Sequence, residues 1–122
     1  MRILHIGTDE KFIDGIIWQF EGIAPESNEY FILVPSEAYE IKYIKNKQKI
    51  KTIALDSKAY RNLPDNLASF DAVLMHSLDH NKAYIVNNAP KETLFFWMYW
   101  VLSFIKLRPL SWSWSQPPLL WQ

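Results

Sequence analysis

The chain has no cysteine among its 122 residues. That removes a disulfide framework, a thiolate metal site and a thiol nucleophile together. It fits the cytoplasmic location expected for the chain without requiring it. Glycine is nearly as scarce, with three residues at positions 7, 15 and 22. The chain therefore carries no G-x-G-x-x-G dinucleotide turn, no Walker lysine loop and no G-x-S-x-G elbow of a serine hydrolase. An excess of one charge is also missing, since 13 basic residues meet 13 acidic ones. Nothing favours nucleic acid as a partner. Long apolar runs are absent too. The N-terminal stretch is too short for a signal-peptide core. The longest run, residues 94–105, is twelve residues with Ser103 inside it, where a spanning helix needs about 20.

What remains is a pattern of short apolar runs separated by polar turns. Residues 2–7, 30–34, 51–55, 71–76 and 93–98 read as buried strands. A further short strand is expected at 42–44, joined onward by a lysine-rich solvated turn. Residues 10–24 place Phe12, Ile16, Phe20 and Ile23 on one helical stripe, with Thr8 or Asp9 as cap and Pro25 as stop. Asp56 and Ser57 can cap a helix running to about residue 69, which Pro64 interrupts. Residues 79–88 read as a last helix, stopped by Pro90. Continuous apolar strands alternating with helices predict a mostly parallel sheet covered on both faces, a Rossmann-like α/β domain over residues 1–100.

Ligands of such sheets sit outside the carboxyl ends of the strands. Gly7, Thr8, Asp9 and Lys11 follow the first strand. His76, Ser77, Asp79 and His80 follow the fourth, and Trp97 and Trp100 come at the end of the fifth. These clusters are expected to converge. The first suits an anion at a helix N-terminus, or a plain turn. The second suits acid–base chemistry, or a capping aspartate with polar neighbours. It is poor as a metal site, because ligands of matching spacing are missing. The aromatics of residues 95–100 suit stacking on a sugar or base, or simply a core.

Taken together, "ILHIGTDEKFIDGIIWQFE", "VLMHSLDHNKAYIV" and "FFWMYW" resemble the N-terminal half of the bacterial N-acetylfucosaminyltransferases. The resemblance implies an inverting glycosyltransferase of the GT-B type, in which two Rossmann-like domains face each other across a cleft. It implies transfer of an N-acetylfucosamine-type sugar from a dTDP-sugar to a lipid-linked saccharide in bacterial surface glycan synthesis. It also implies peripheral attachment to the inner membrane, with no obligatory metal and no cofactor. The N-terminal domain would contact the acceptor, and the donor would bind a C-terminal domain. Catalytic candidates are Asp9, His76, Asp79 and His80. Substrate-binding candidates are His5, Gly7, Lys11, Phe12, Trp97 and Trp100. Other readings remain open at this stage: a stand-alone flavodoxin-like binding or signalling module, or a peripheral membrane protein anchored by Trp112, Trp114 and Trp121.

The resemblance ends at residue 100, so this part of the enzyme is expected to be inactive alone. The resemblance also implies a motif of Trp, Gly, a small residue, an acid, an apolar residue and Tyr, where the chain has Trp100-Val-Leu-Ser-Phe-Ile. Restoring one G before a valine codon yields a glycine codon. Residues 101–122 crowd Trp and Pro together with no acidic residue and no regular period. They are expected to be a shifted reading frame, with a real Pro-broken tail as the alternative.

Overall fold

The structure, a computed structural model, describes residues 1–98. The expectations for Trp100 and for residues 101–122 lie outside these residues. Five strands form one sheet: β1 (Ile3–Thr8), β2 (Asn28–Val34), β3 (Ile50–Ala54), β4 (Ala72–His76) and β5 (Phe95–Met98). Their order is β3-β2-β1-β4-β5, and every neighbouring pair is parallel. The chain is thus an α/β domain with a Rossmann-like sheet.

Alternation along β1 decides what covers each face. Leu4 and Ile6 point to one side, where they join Leu33, Ile53, Val73 and Met75 under Tyr60, Leu63, Leu67 and Ile85. These last four come from α2 (Lys58–Asn62), the 3₁₀ stretch Leu63–Ser69 and α3 (His80–Asn88). The opposite face carries Tyr30, Ile32 and Val34, and α1 (Phe12–Ile23) covers it with Ile13, Ile16 and Ile17. Burying each of these isoleucines stabilises the fold by about 1.5–3 kcal/mol.

Several local details differ from the expectation. Phe12 and Phe20 of the α1 stripe are only half-buried, and Ile23 is 77% exposed. Neither Thr8 nor Asp9 caps α1: Lys11 stands at the cap position with no side-chain hydrogen bond. Residues 42–44 form no strand, because their amides bond to a carboxylate of another segment. Ser57 does cap α2, accepting from the Tyr60 amide, and the chain tightens into the 3₁₀ stretch at Pro64.

Gly7 lies inside β1 and is buried beneath α1. A Cβ there would come within 2.9 Å of Ile13 Cδ1. The missing side chain lets α1 approach the sheet, so Gly7 serves packing where a substrate contact was expected. Gly7→Ala is expected to destabilise the fold by about 1 kcal/mol through overpacking. Urea unfolding checks this, and an unchanged midpoint would contradict the close approach.

Candidate functional site

The strand order reverses between β1 and β4. The first three strands build outward in one direction and the last two in the other, which opens a crevice at the carboxyl ends of β1 and β4. Thr8 ends β1 and His76 ends β4. Behind the crevice the two strands are joined by their side chains. His5 Nδ1 lies 2.9 Å from His76 Nε2, and His5 Nε2 lies 2.8 Å from Asn28 Oδ1.

The direction of this chain follows from Asn28. Its Nδ2 donates to the carbonyls of Phe20 and Ala24 at 3.0 and 2.8 Å, so its Oδ1 must be the atom facing His5. A carbonyl oxygen only accepts, and His5 therefore carries its proton on Nε2. Nδ1 is then the acceptor for His76 Nε2–H. The remaining nitrogen, His76 Nδ1, is buried without a hydrogen-bond partner among the described residues. Burial lowers the His5 pKa to about 4, against smaller opposing effects of Asn28 and Glu21. His76 is held well below its ordinary value by burial, then by the charges of His5 and Lys82. Both rings are neutral at physiological pH.

This corrects the placement expected for His76. It was grouped with the polar residues that follow the fourth strand, but it is 1% exposed and ends the buried part of β4. His5 is equally enclosed, stacked on Tyr30 and edge-on to Phe20.

Asp9 is accessible in part but heavily engaged. Its carboxylate accepts from the Tyr39 hydroxyl at 2.8 Å and from the amides of Lys42, Tyr43 and Ile44 at 2.7, 3.0 and 3.2 Å. Desolvation alone would raise its pKa, but these donors outweigh it and hold the carboxyl below its ordinary range. Asp14 makes a second clasp, on the amides of Lys45 and Asn46. The long β2–β3 loop is thereby tied to the start of α1.

Asp79 caps α3, accepting from the Lys82 amide at 3.0 Å. Its Oδ2 also faces Lys82 Nζ at 3.1 Å, while 41% of the side chain stays open to solvent. Desolvation is again outweighed, here by the Lys82 amide and ammonium, and the carboxyl stays below its ordinary range. A cavity of about 230 Å³ lies at this edge, lined by Thr8, Asp9, Leu33, Pro35, Tyr39, Leu55, Asp79 and Asn81.

The structure therefore brings Asp9 and Asp79 to one cavity and pairs His5 with His76 behind it. The other candidates lie elsewhere. His80 is the exposed first residue of α3 and does not line the cavity. Lys11 borders a separate open groove with Asp14, Lys42 and Lys45. Phe12 packs against the core under α1. Trp97 stands within β5, opposite Met75, and packs against the core on the α2 and α3 side rather than at the strand's end.

Sequence reasoning missed Lys82, which is 0% exposed. A lysine in a polar helix reads as solvated. The available signal was its position three residues after a capping aspartate. It also missed Asn28, whose four hydrogen bonds link α1, β2 and the histidine pair. Among the described residues, no three His, Asp or Glu side chains gather as metal ligands, and no helix is long and apolar enough to cross a membrane. Comparison with protein-family models, curated proteins and solved structures finds no match to the chain.

Proposed function

We propose that residues 1–98 are the acceptor-side domain of a glycosyltransferase, one that moves an N-acetylfucosamine-type sugar from a dTDP-sugar to a lipid-linked saccharide. The motif resemblance motivates the substrate classes. The observation that carries the reading is the crevice at the carboxyl ends of β1 and β4, where Thr8, Asp9, Asp79 and Asn81 line one cavity. Two carboxylates with hydroxyl and amide neighbours suit a ligand rich in hydroxyl donors. They disfavour a phosphate, as does the clasped loop at the start of α1, where a Rossmann domain often holds one.

In this reading Asp79 holds the acceptor hydroxyl in line for attack on the anomeric carbon. Its carboxylate is partly open to solvent, whereas Asp9 is committed to the loop by four hydrogen bonds. Proton acceptance falls to Asp79, since the two buried histidines are locked to each other and His80 does not line the cavity. The nucleotide sugar would bind on a second domain facing this edge.

The test is titration of the purified chain with a short N-acetylhexosamine glycoside, followed by NMR. Saturable shifts are expected at Thr8, Asp79 and Asn81. Asp79→Ala should weaken binding by about tenfold, the loss of one charge-assisted hydrogen bond. The fold is expected to weaken by about 3 kcal/mol, because α3 loses its cap and the buried Lys82 loses its carboxylate, so thermal melting is read beside the binding. Absence of saccharide binding, or a flavin bound in its place, would overturn the reading.

A further inference from the structure

We infer that Ser77 and Asp79, held from beneath by Lys82, form a subsite for a single sugar-type hydroxyl, which accepts from Ser77 and donates to Asp79. This rests on the acceptor-domain reading and names residues that recognise the acceptor.

The inference starts from the backbone. Ser77 follows β4 directly and has φ 70°, one of two non-glycine residues with positive φ among those described. Glycine takes this conformation freely, while a residue with a Cβ is strained in it. Strained residues concentrate at functional sites, where the surrounding structure fixes them. The other positive-φ residue, Glu26, sits in the turn between α1 and β2, away from the crevice.

Hydrogen-bond direction supplies the second step. Lys82 Nζ lies 3.2 Å from Ser77 Oγ and 3.1 Å from Asp79 Oδ2. An ammonium has donors only, so it must donate to both oxygens. Ser77 Oγ then spends a lone pair on the lysine, and its own hydrogen is left to point away from it. Asp79 is fixed at both oxygens, one by the Lys82 amide and one by the ammonium, and each oxygen retains acceptor capacity. The lysine is completely buried, whereas Ser77 is exposed and Asp79 is partly so. The pair thus presents outward one fixed donor beside one fixed acceptor. A neutral hydroxyl has one of each and matches both. A phosphate offers only acceptors, and the carboxylates of Asp9 and Asp79 at this edge would repel it.

The test compares the full chain with Ser77→Gly and Ser77→Ala, using methyl N-acetyl-β-glucosaminide as probe and saturation-transfer NMR as readout. Ser77→Gly removes the hydroxyl but also relieves the backbone. Its melting temperature is expected to exceed that of Ser77→Ala, since both lose the oxygen that accepts from the buried Lys82 and glycine alone relieves the backbone, while affinity falls by roughly tenfold. Ser77→Ala keeps the strain and should lose affinity equally. A role in folding alone would move stability and leave binding unchanged. Undiminished binding by Ser77→Gly would overturn the subsite while leaving the acceptor-domain reading intact. Failure of the parent to bind the probe would overturn both.

Discussion

Asp9→Ala is expected to destabilise the domain by about 3 kcal/mol, a large share of the stability of a chain this size. The carboxylate accepts four hydrogen bonds from one loop, three of them from successive backbone amides. No other side chain can reproduce that pattern. Asparagine would turn its own donors toward some of those amides, so Asp9→Asn should recover little. Exposure of Lys42 and Tyr43 lets water replace part of the loss, which keeps the effect below the sum of four charged hydrogen bonds. The pH dependence has a definite sign. The Asp9 carboxyl sits below its ordinary value of 3.8 in the folded state. Its stabilisation is therefore fully present above that unfolded value and is lost as pH falls through the lower, folded one. Thermal melting at neutral pH checks the magnitude, and amide exchange at residues 42–44 checks the place. A variant that melts with the parent and protects those amides would show that the loop holds itself.

The strands were legible because most carry a short apolar run, as in residues 31–34 and 73–75, which a parallel sheet covered on both faces demands. Residues 42–44 show where the argument fails. Ile41 and Ile44 reach the core under α1, and with Tyr43 they make the short apolar stretch that reads as a strand. Its amides, however, bond to a side chain 33 to 35 residues away. A long-range partner for a loop amide leaves no local pattern. The crevice was legible in outline, since the carboxyl-end rule named Thr8, Asp9 and Asp79 before any geometry. What could not be read was the division of labour among polar residues. Whether an aspartate is a clasp, a cap or an open acceptor depends on which amides reach it. Whether a histidine lies in a strand or a loop depended here on a single position at the end of β4.

The buried imidazoles should make the domain sensitive to mild acid. His5 has a folded-state pKa of about 4 against 6.5 in the unfolded chain. The unfolded state therefore binds that proton more tightly. Stability is complete above about pH 6.5, declines as pH falls toward 4, and changes no further from this group below that. The difference corresponds to about 3 kcal/mol. His76 is shifted in the same direction, and protonating either ring hinders the other because their nitrogens share one hydrogen bond. In the structure, this pair joins β1 to β4 immediately beneath the crevice, so acid should loosen the seam on which the proposed site stands. The decisive variant is His5→Leu with His76→Leu. It removes both titrating groups and replaces a polar contact by an apolar one. Asn28 Oδ1 loses its donor, which costs about 1–2 kcal/mol at neutral pH. The slope carries the prediction. Between about pH 7 and pH 4.5 the parent should lose most of its 3 kcal/mol, and the double variant should lose much less. Urea unfolding midpoints at the two pH values measure both. Parallel losses in parent and variant would show that the histidine pair carries no proton-linked stability.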